Sequence, residues 1–301
     1  MKKEIRRPLL ALLMATQVMA WSFNYIAGKV ALRQLDPLTL ASFRLVLAGA
    51  IYLPIFLLAP RPMRLGWRDP PTFLLLGVCG VVINQGCFTV SLHYTSIGHV
   101  ALIIAMGPIF VLLLARLMGQ ETLSPGKIIG MLLSFSGVAL LAIGQGSDWR
   151  SGGLAGDLIA LCAACGFACY AVLSKRVAHR YDSIAFNTFT HLTGALLLLP
   201  LAVHQALGLD WAHVSWPSWA GLSYMALFGS VAGYFIFYKL LGHISATQVA
   251  SLNYLLPVVA TSLGVVLLGE RVGRIFLLAA ALVLTGLWLA QGTSWQDAPA
   301  D

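Results

Sequence analysis

The chain has 301 residues, of which 59% are hydrophobic and 10% charged, with a formal net charge of +8. Soluble domains carry about 25% charged residues, so this composition excludes an ordinary soluble protein. The positive balance is what cytoplasmic lysines and arginines give a membrane protein, and no nucleic-acid partner is expected.

Apolar runs of about 20 residues, the length that crosses a bilayer as a helix, predict an all-α integral membrane protein with ten spans. They are 9–28, 38–59, 72–92, 97–118, 126–144, 154–174, 184–204, 216–238, 247–268 and 274–291. Pro37, Pro60, Pro62, Pro70, Pro71, Pro125, Gly152, Gly153 and Pro217 punctuate the joins. Strands are excluded because the runs are too long, and backbone exposed to lipid must satisfy itself within a helix or a closed barrel.

In the first span, Val18-Met19-Ala20 has the form of a signal-peptidase site. The run continues into Trp21-Ser22-Phe23-Asn24-Tyr25 and has a counterpart later in the chain, so the segment is expected to be retained. Gln17, Trp21 and Asn24 are spaced i, i+4, i+7 and share one face. They either line a wet cavity, with Trp21 stacking on a solute and Asn24 bonding to it, or bond to a neighbouring helix. Lys29 closes the span as a cation at a helix C-terminus.

The second span opens on Asp36-Pro37, the pattern of an N-cap followed by proline in the first turn. Arg44 lies about 12 Å further along the helix. It is the one Lys or Arg away from the ends of a predicted span, and no Asp or Glu falls well inside any span to pair with it. An arginine at mid-membrane costs at least about 2.5–3.5 kcal/mol. The favoured reading is a structural or snorkelling role; the alternative is binding a substrate carboxylate. The third span offers Asn84, Gln85 and Phe88 at similar depth.

Pro108 in the fourth span and Pro257 in the ninth interrupt their helices at matched positions, freeing the carbonyls of Ile104 and Asn253. Paired broken helices are the best sequence pointer to a transporter site, although a kink can serve packing alone. Glu121 and Glu270 follow these two spans and read as turn or inter-repeat fasteners. In the sixth span Cys162, Cys165 and Cys169 share one face, but no second ligand pair completes a metal site. They read as small residues for close helix packing. Five cysteines give no disulfide framework, and no metal or other cofactor is expected. His99 and His191 lie within spans, as proton carriers or, more commonly, as hydrogen-bonded buried histidines. The eighth span is aromatic, with Tyr224, Phe228, Phe235 and Tyr238 on one stripe and Tyr234 beside it. Such a stripe suits an amphipathic solute or plain packing. Asn253 and Tyr254 stand just before the ninth-span break.

The chain also repeats itself. Lys29, Asp36, Phe43 and Pro54 fall at one offset on Lys175, Asp182, Phe189 and Pro200. Ser96, Ala101, Pro108, Glu121 and Gly137 fall at a nearly equal offset on Ser245, Ala250, Pro257, Glu270 and Gly286. Residues 1–146 are therefore read as one five-helix repeat and 147–301 as a second. An odd-span unit cannot repeat without inverting in the bilayer, an arrangement associated with alternating access. Basic residues concentrate on one side of the predicted spans, from Lys2, Lys3, Arg6 and Arg7 to Lys175, Arg176, Arg180 and Lys239, which puts both termini in the cytoplasm.

Trp21-Ser22-Phe23-Asn24-Tyr25, Lys29, Asp36-Pro37-Leu38-Thr39-Leu40 and Phe43-Arg44 resemble the first repeat of the drug/metabolite transporter superfamily, EamA type. Ser245-Ala246-Thr247-Gln248-Val249-Ala250-Ser251-Leu252, Pro257 and Leu268-Gly269-Glu270-Arg271 are similar to the second. The resemblance implies a ten-helix inner-membrane exporter of small metabolites, amino acids among them. The chain departs from doubling at Thr190, which stands where Arg44 stands in the first half.

The function expected is a secondary transporter exporting neutral or zwitterionic solutes such as amino acids. Its partners are a small-molecule substrate and the bilayer; no nucleotide-hydrolysing subunit is evident, and a monomer would suffice. Multidrug efflux is the alternative within transport, disfavoured because acidic cavity residues for cationic drugs are missing. An integral-membrane enzyme on lipid-like substrates would need catalytic clusters that the sequence lacks, as it lacks a P-loop, HExxH or GxSxG. A structural scaffold would not require paired broken helices.

Overall fold

A computed structural model describes residues 7–59, 69–144, 153–268 and 274–292. Ten helices follow one another: α1 (Arg7–Ala31), α2 (Pro37–Leu58), α3 (Asp69–Tyr94), α4 (Ile97–Leu117), α5 (Pro125–Gly144), α6 (Leu154–Val177), α7 (Ser183–Gly208), α8 (Trp216–Leu241), α9 (246–268) and α10 (Arg274–Gly292). Among the described residues nine continuous helices are long and apolar enough to cross a bilayer. α9 covers its span in three pieces, Ala246–Ser251, a 3-10 turn at Leu252–Tyr254, and Leu255–Leu268. Exposed Leu57, Leu58, Leu117, Leu207 and Trp288 stud the outside of the bundle, as lipid contact requires and water would not tolerate. This is a multi-pass membrane protein.

Local sequence sets the helix starts. Asp36 caps α2, accepting from the amides of Leu38 and Thr39 at 3.0 Å, and Asp182 caps α7 through Ile184 and Ala185 at 3.3 Å. Ser96 caps α4, and Ser245 with Gln248 forms a reciprocal capping box on α9. The two matched lysines act on a neighbouring helix. Lys29 donates to the Leu92 carbonyl of α3 at 2.6 Å, and Lys175 to Leu241 of α8 and to Ile244, both at 2.7 Å. Each supplies a donor to terminal carbonyls that have no partner within their own helix.

The main helix pairings recur when the halves are exchanged. α2 lies on its counterpart α7 and α5 on its counterpart α10, while α1 packs against α8 and α9 as α6 packs against α3 and α4. At the α5–α10 crossing a Cβ on either Gly130 or Gly286 would lie 2.5 Å from the other's carbonyl oxygen. Hydrogen in place of a side chain lets the backbones touch, the kind of contact that associates helices in lipid. One buried cluster gathers on α1, α3, α6 and α8; a second, with Met131, Val138, Tyr254 and Val283, sits between α4, α5, α9 and α10.

Two features were not expected from sequence. Gly77–Gly86 in α3 and Met225–Ala232 in α8 are π-wound, at corresponding places in the two halves. The wider i→i+5 turns rotate the residues that follow to a different face, and such segments frequently mark functional sites. This divides the α8 aromatics. Tyr224 stacks on Phe228, which is 49% exposed, whereas Tyr238 is buried flat on Phe186 with 3.7 Å between ring centroids. The predicted single stripe does not form. Cys162 and Cys165 are also exposed, so they do not serve close helix packing; Cys169 is half-buried.

Candidate solute cavity

The two π-wound segments and the two broken helices converge on one cavity with an empty volume of about 460 Å³, its opening included. α1 contributes Trp21, Asn24 and Tyr25; α2 Arg44; α3 Asn84, Gln85 and Phe88; α4 Ile104; α6 Phe167; α8 Gly229 and Tyr234; α9 Asn253 and Leu256. The i, i+3 spacing that put Trp21 and Asn24 on one face holds in the folded helix. Trp21 packs among Phe167, Tyr234 and Phe237, with ring centroids 5.3–6.2 Å apart, and its indole N–H donates to the Gly229 carbonyl at 3.1 Å. Tyr52 donates to the Val231 carbonyl at 2.6 Å. Both acceptors lie in the π-wound stretch of α8.

Arg44 does not snorkel. It is 2% exposed and held entirely by uncharged oxygens. Nε donates to the Ser230 hydroxyl at 3.0 Å, Nη1 to Thr89 at 3.0 Å, and Nη2 to the Gln85 side-chain oxygen at 3.4 Å. A guanidinium has five N–H donors, so two remain beyond these bonds. No Asp or Glu among the described residues pairs with it. Gly229 makes room beside it: a Cβ there would collide with Asn24 Oδ1 and sit 3.2 Å from Arg44 Nη2. The Oδ1 atoms of Asn24 and Asn253 have no hydrogen-bond partner. Asn84 donates to the Ala163 carbonyl at 2.9 Å and accepts from the Tyr234 hydroxyl, which fixes its amide.

The proline breaks shape the opposite wall. α4 loses regular winding at Ala105 and Met106, and Pro108 sits in the first turn of the following Gly107–Leu117 segment. The α9 turn precedes Pro257 in the same way. Ile104 and Asn253, each four residues before its proline, line the cavity. Pro257 itself faces a second space, of about 410 Å³, between α4, α5 and α9; Tyr25 lines both.

Three expected residues lie elsewhere. Gln17 is 1% exposed and outside the cavity lining, although it shares the Trp21 face, because the cavity ends within the next turn. Tyr224, in the turn before the π-wound stretch, lies outside the cavity lining and donates to the Ala20 carbonyl at 3.2 Å. Tyr254 is fully buried in the α4/α5/α9/α10 cluster because the 3-10 turn directs it there. Residues not singled out from sequence are Tyr25, Thr89, Phe167, Gly229, Ser230 and Leu256; the hydroxyls of Thr89 and Ser230 become significant only once α2, α3 and α8 meet. Outside the cavity, His99 faces Asp157 of α6 at 3.2 Å, an acid in the first helical turn, and Thr95 donates to the same carboxylate at 2.9 Å. Glu121 accepts from the Thr247 amide at 3.0 Å, fastening the α4–α5 turn to the start of α9; Glu270 lies outside the described residues.

A sequence model of the EamA-like transporter family matches the chain twice, over residues 9–143 and 154–291. An uncharacterized transporter of Archaeoglobus fulgidus is 24% identical over 92% of this chain and 97% of its own. The uncharacterized transporter YvbV of Bacillus subtilis is 26% identical over 97% and 94%. A probable amino-acid metabolite efflux pump of Salmonella typhimurium is 27% identical over 90% and 91%. A solved crystal structure superposes with a TM-score of 0.76, covering 97% of this chain and 99% of that one at 20% identity, a likeness of fold.

Proposed function

The chain belongs to the EamA-like transporter family, and from that premise we propose that it exports small neutral or zwitterionic solutes bearing a carboxylate, amino acids among them, by alternating access around the central cavity. The observation that carries this reading is Arg44, a buried cation at the cavity wall surrounded only by neutral oxygens. A buried charge left without a counter-ion costs several kcal/mol. A carboxylate arriving with the solute offsets that cost, and the two open N–H donors supply charge-assisted bonds to it. The unpartnered Asn24 and Asn253 oxygens beside the cavity offer acceptors for an ammonium. Trp21, Phe88 and Phe167 give an apolar side chain a surface. The Salmonella relative named for amino-acid metabolites supports the same substrate class. Lipophilic cations fit poorly, since the cavity lining carries no acid.

The proposed setting is the inner membrane with both termini cytoplasmic, from the bias of basic residues, and the second half inverted relative to the first. Two matched halves of five helices each support the inversion, because an odd-span unit repeats upside down. The direct test loads proteoliposomes with labelled L-leucine and follows its exit, with and without a pH gradient. Leucine exit is expected, and Arg44→Ala should slow it by roughly tenfold or more, the value of one or two charge-assisted bonds. Efflux of quaternary ammonium compounds with no movement of any amino acid overturns the reading.

A further inference from the structure

His191, completely buried in α7, stands outside the cavity lining, yet a chain of hydrogen bonds connects it to Arg44. Its Nδ1 lies 2.9 Å from the Asn187 carbonyl. A carbonyl oxygen only accepts, so Nδ1 carries the proton, and in the neutral ring Nε2 is an acceptor. Nε2 faces the Gln85 side-chain nitrogen at 3.4 Å. The Gln85 NH2 group also donates to the Gly80 carbonyl at 3.3 Å, so two acceptors fix which end of this amide points at α7.

The other end is thereby fixed as oxygen. It accepts from the Ser230 hydroxyl at 2.6 Å and from Arg44 Nη2 at 3.4 Å. Having given its proton to Gln85, Ser230 has only lone pairs to offer Arg44 Nε at 3.0 Å. Thr89 gives its proton to the Gln85 main-chain oxygen at 2.8 Å and likewise accepts from Nη1. One glutamine therefore orients every acceptor around the guanidinium. A reversed amide would aim NH2 at Arg44 and leave Ser230 without an acceptor.

We propose that His191 is a positioning residue which, through Gln85, holds Arg44 with its open N–H donors toward the cavity and so sets the transporter's preference for carboxylate-bearing solutes. This rests on the reading of Arg44 as the carboxylate receptor. His191 touches no solute; with the Gly80 carbonyl it supplies one of the two acceptors that fix the polarity of the network. The rings of Tyr52 and Tyr234, with centroids 4.8 and 5.5 Å away, hold it in place.

The test uses the full chain in proteoliposomes and compares how well unlabelled L-leucine and L-leucinamide compete with labelled L-leucine. The unsubstituted protein should prefer the carboxylate, and Arg44→Ala should abolish the preference. His191→Phe keeps a ring between the two tyrosines but removes the acceptor, and should reduce the preference roughly tenfold, the scale of one charge-assisted bond. His191→Gln, whose side-chain oxygen can accept from Gln85, should restore it. If His191→Phe does not fold, Gln85→Met cuts the same chain from the other side and should show the same loss. A folded His191→Phe or Gln85→Met that keeps the preference while Arg44→Ala loses it overturns the positioning role alone. A preference that survives Arg44→Ala, or no preference in the unsubstituted protein, overturns the reading of Arg44 and the positioning role with it.

Discussion

Arg44 was conspicuous in the sequence as a lone base in apolar surroundings, but nothing local revealed its company. Gln85 and Thr89 come from α3, Ser230 from α8, and a partner for the Gln85 NH2 group from α7. Spacing within one helix found Trp21 and Asn24 because the helix period alone puts them on one face. It could not tell that the cavity stops short of Gln17. At this scale a single atom exchange is informative. Gln85→Glu places a carboxylate where the amide oxygen now accepts from Nη2, giving Arg44 a permanent counter-ion. We expect transport of carboxylate-bearing solutes to fall roughly tenfold or more while the folded state is retained, because the buried charge is then paired. Exit assays beside thermal melting in detergent check both halves of that expectation; undiminished leucine exit would contradict it.

Elements with local punctuation were legible. Asp36 announced a helix start, and Pro108 and Pro257 announced breaks, because capping and proline chemistry act within a few residues. The π-wound segments were hidden. Gly77–Gly86 and Met225–Ala232 are as apolar as the helix around them, and the extra residue in each turn is a matter of register that composition does not carry. Missing them is why Tyr224, Phe228, Phe235 and Tyr238 were assigned to one stripe. Helix contact is testable where α5 meets α10. Gly286→Ala would place a Cβ 2.5 Å from the Gly130 carbonyl oxygen and from Ser134 Oγ. Backbone on the facing helix cannot swing aside, so overpacking should cost about 1–3 kcal/mol. A clear fall in the thermal midpoint, followed by intrinsic tryptophan fluorescence, is the expected result.

At the scale of the whole molecule, ten helices and two repeats could be read from hydropathy and from residues recurring at constant offset, since both are linear properties. The meeting of α2 with α3 and α8 at the cavity is a property of assembly: the sequence left Arg44 between a structural role and a substrate contact, and only the fold brings it to the cavity wall. The proposed inversion makes a sharp prediction. Tyr94, at the end of α3, and His243, in the turn after α8, are both exposed and hold corresponding positions in the two halves. With the five native cysteines replaced, a cysteine at Tyr94 should react with an impermeant maleimide from one side of the membrane and a cysteine at His243 only from the other. Labelling of both from the same side would contradict inversion.

The break in the duplication at Arg44 then has a kinetic meaning. Where the first half has Arg44 the second has Thr190, fully buried with its hydroxyl unpartnered. A site obeying the two-fold symmetry of its frame would take a solute equally well in either of two opposed orientations. A single arginine lifts that degeneracy, so a bound amino acid has a head and a tail relative to the membrane normal. Travelling one way it leads with its carboxylate; travelling the other it trails it. Entry from the two faces therefore passes over different barriers, and half-saturating concentrations measured from the two sides should differ, even where no gradient favours either direction.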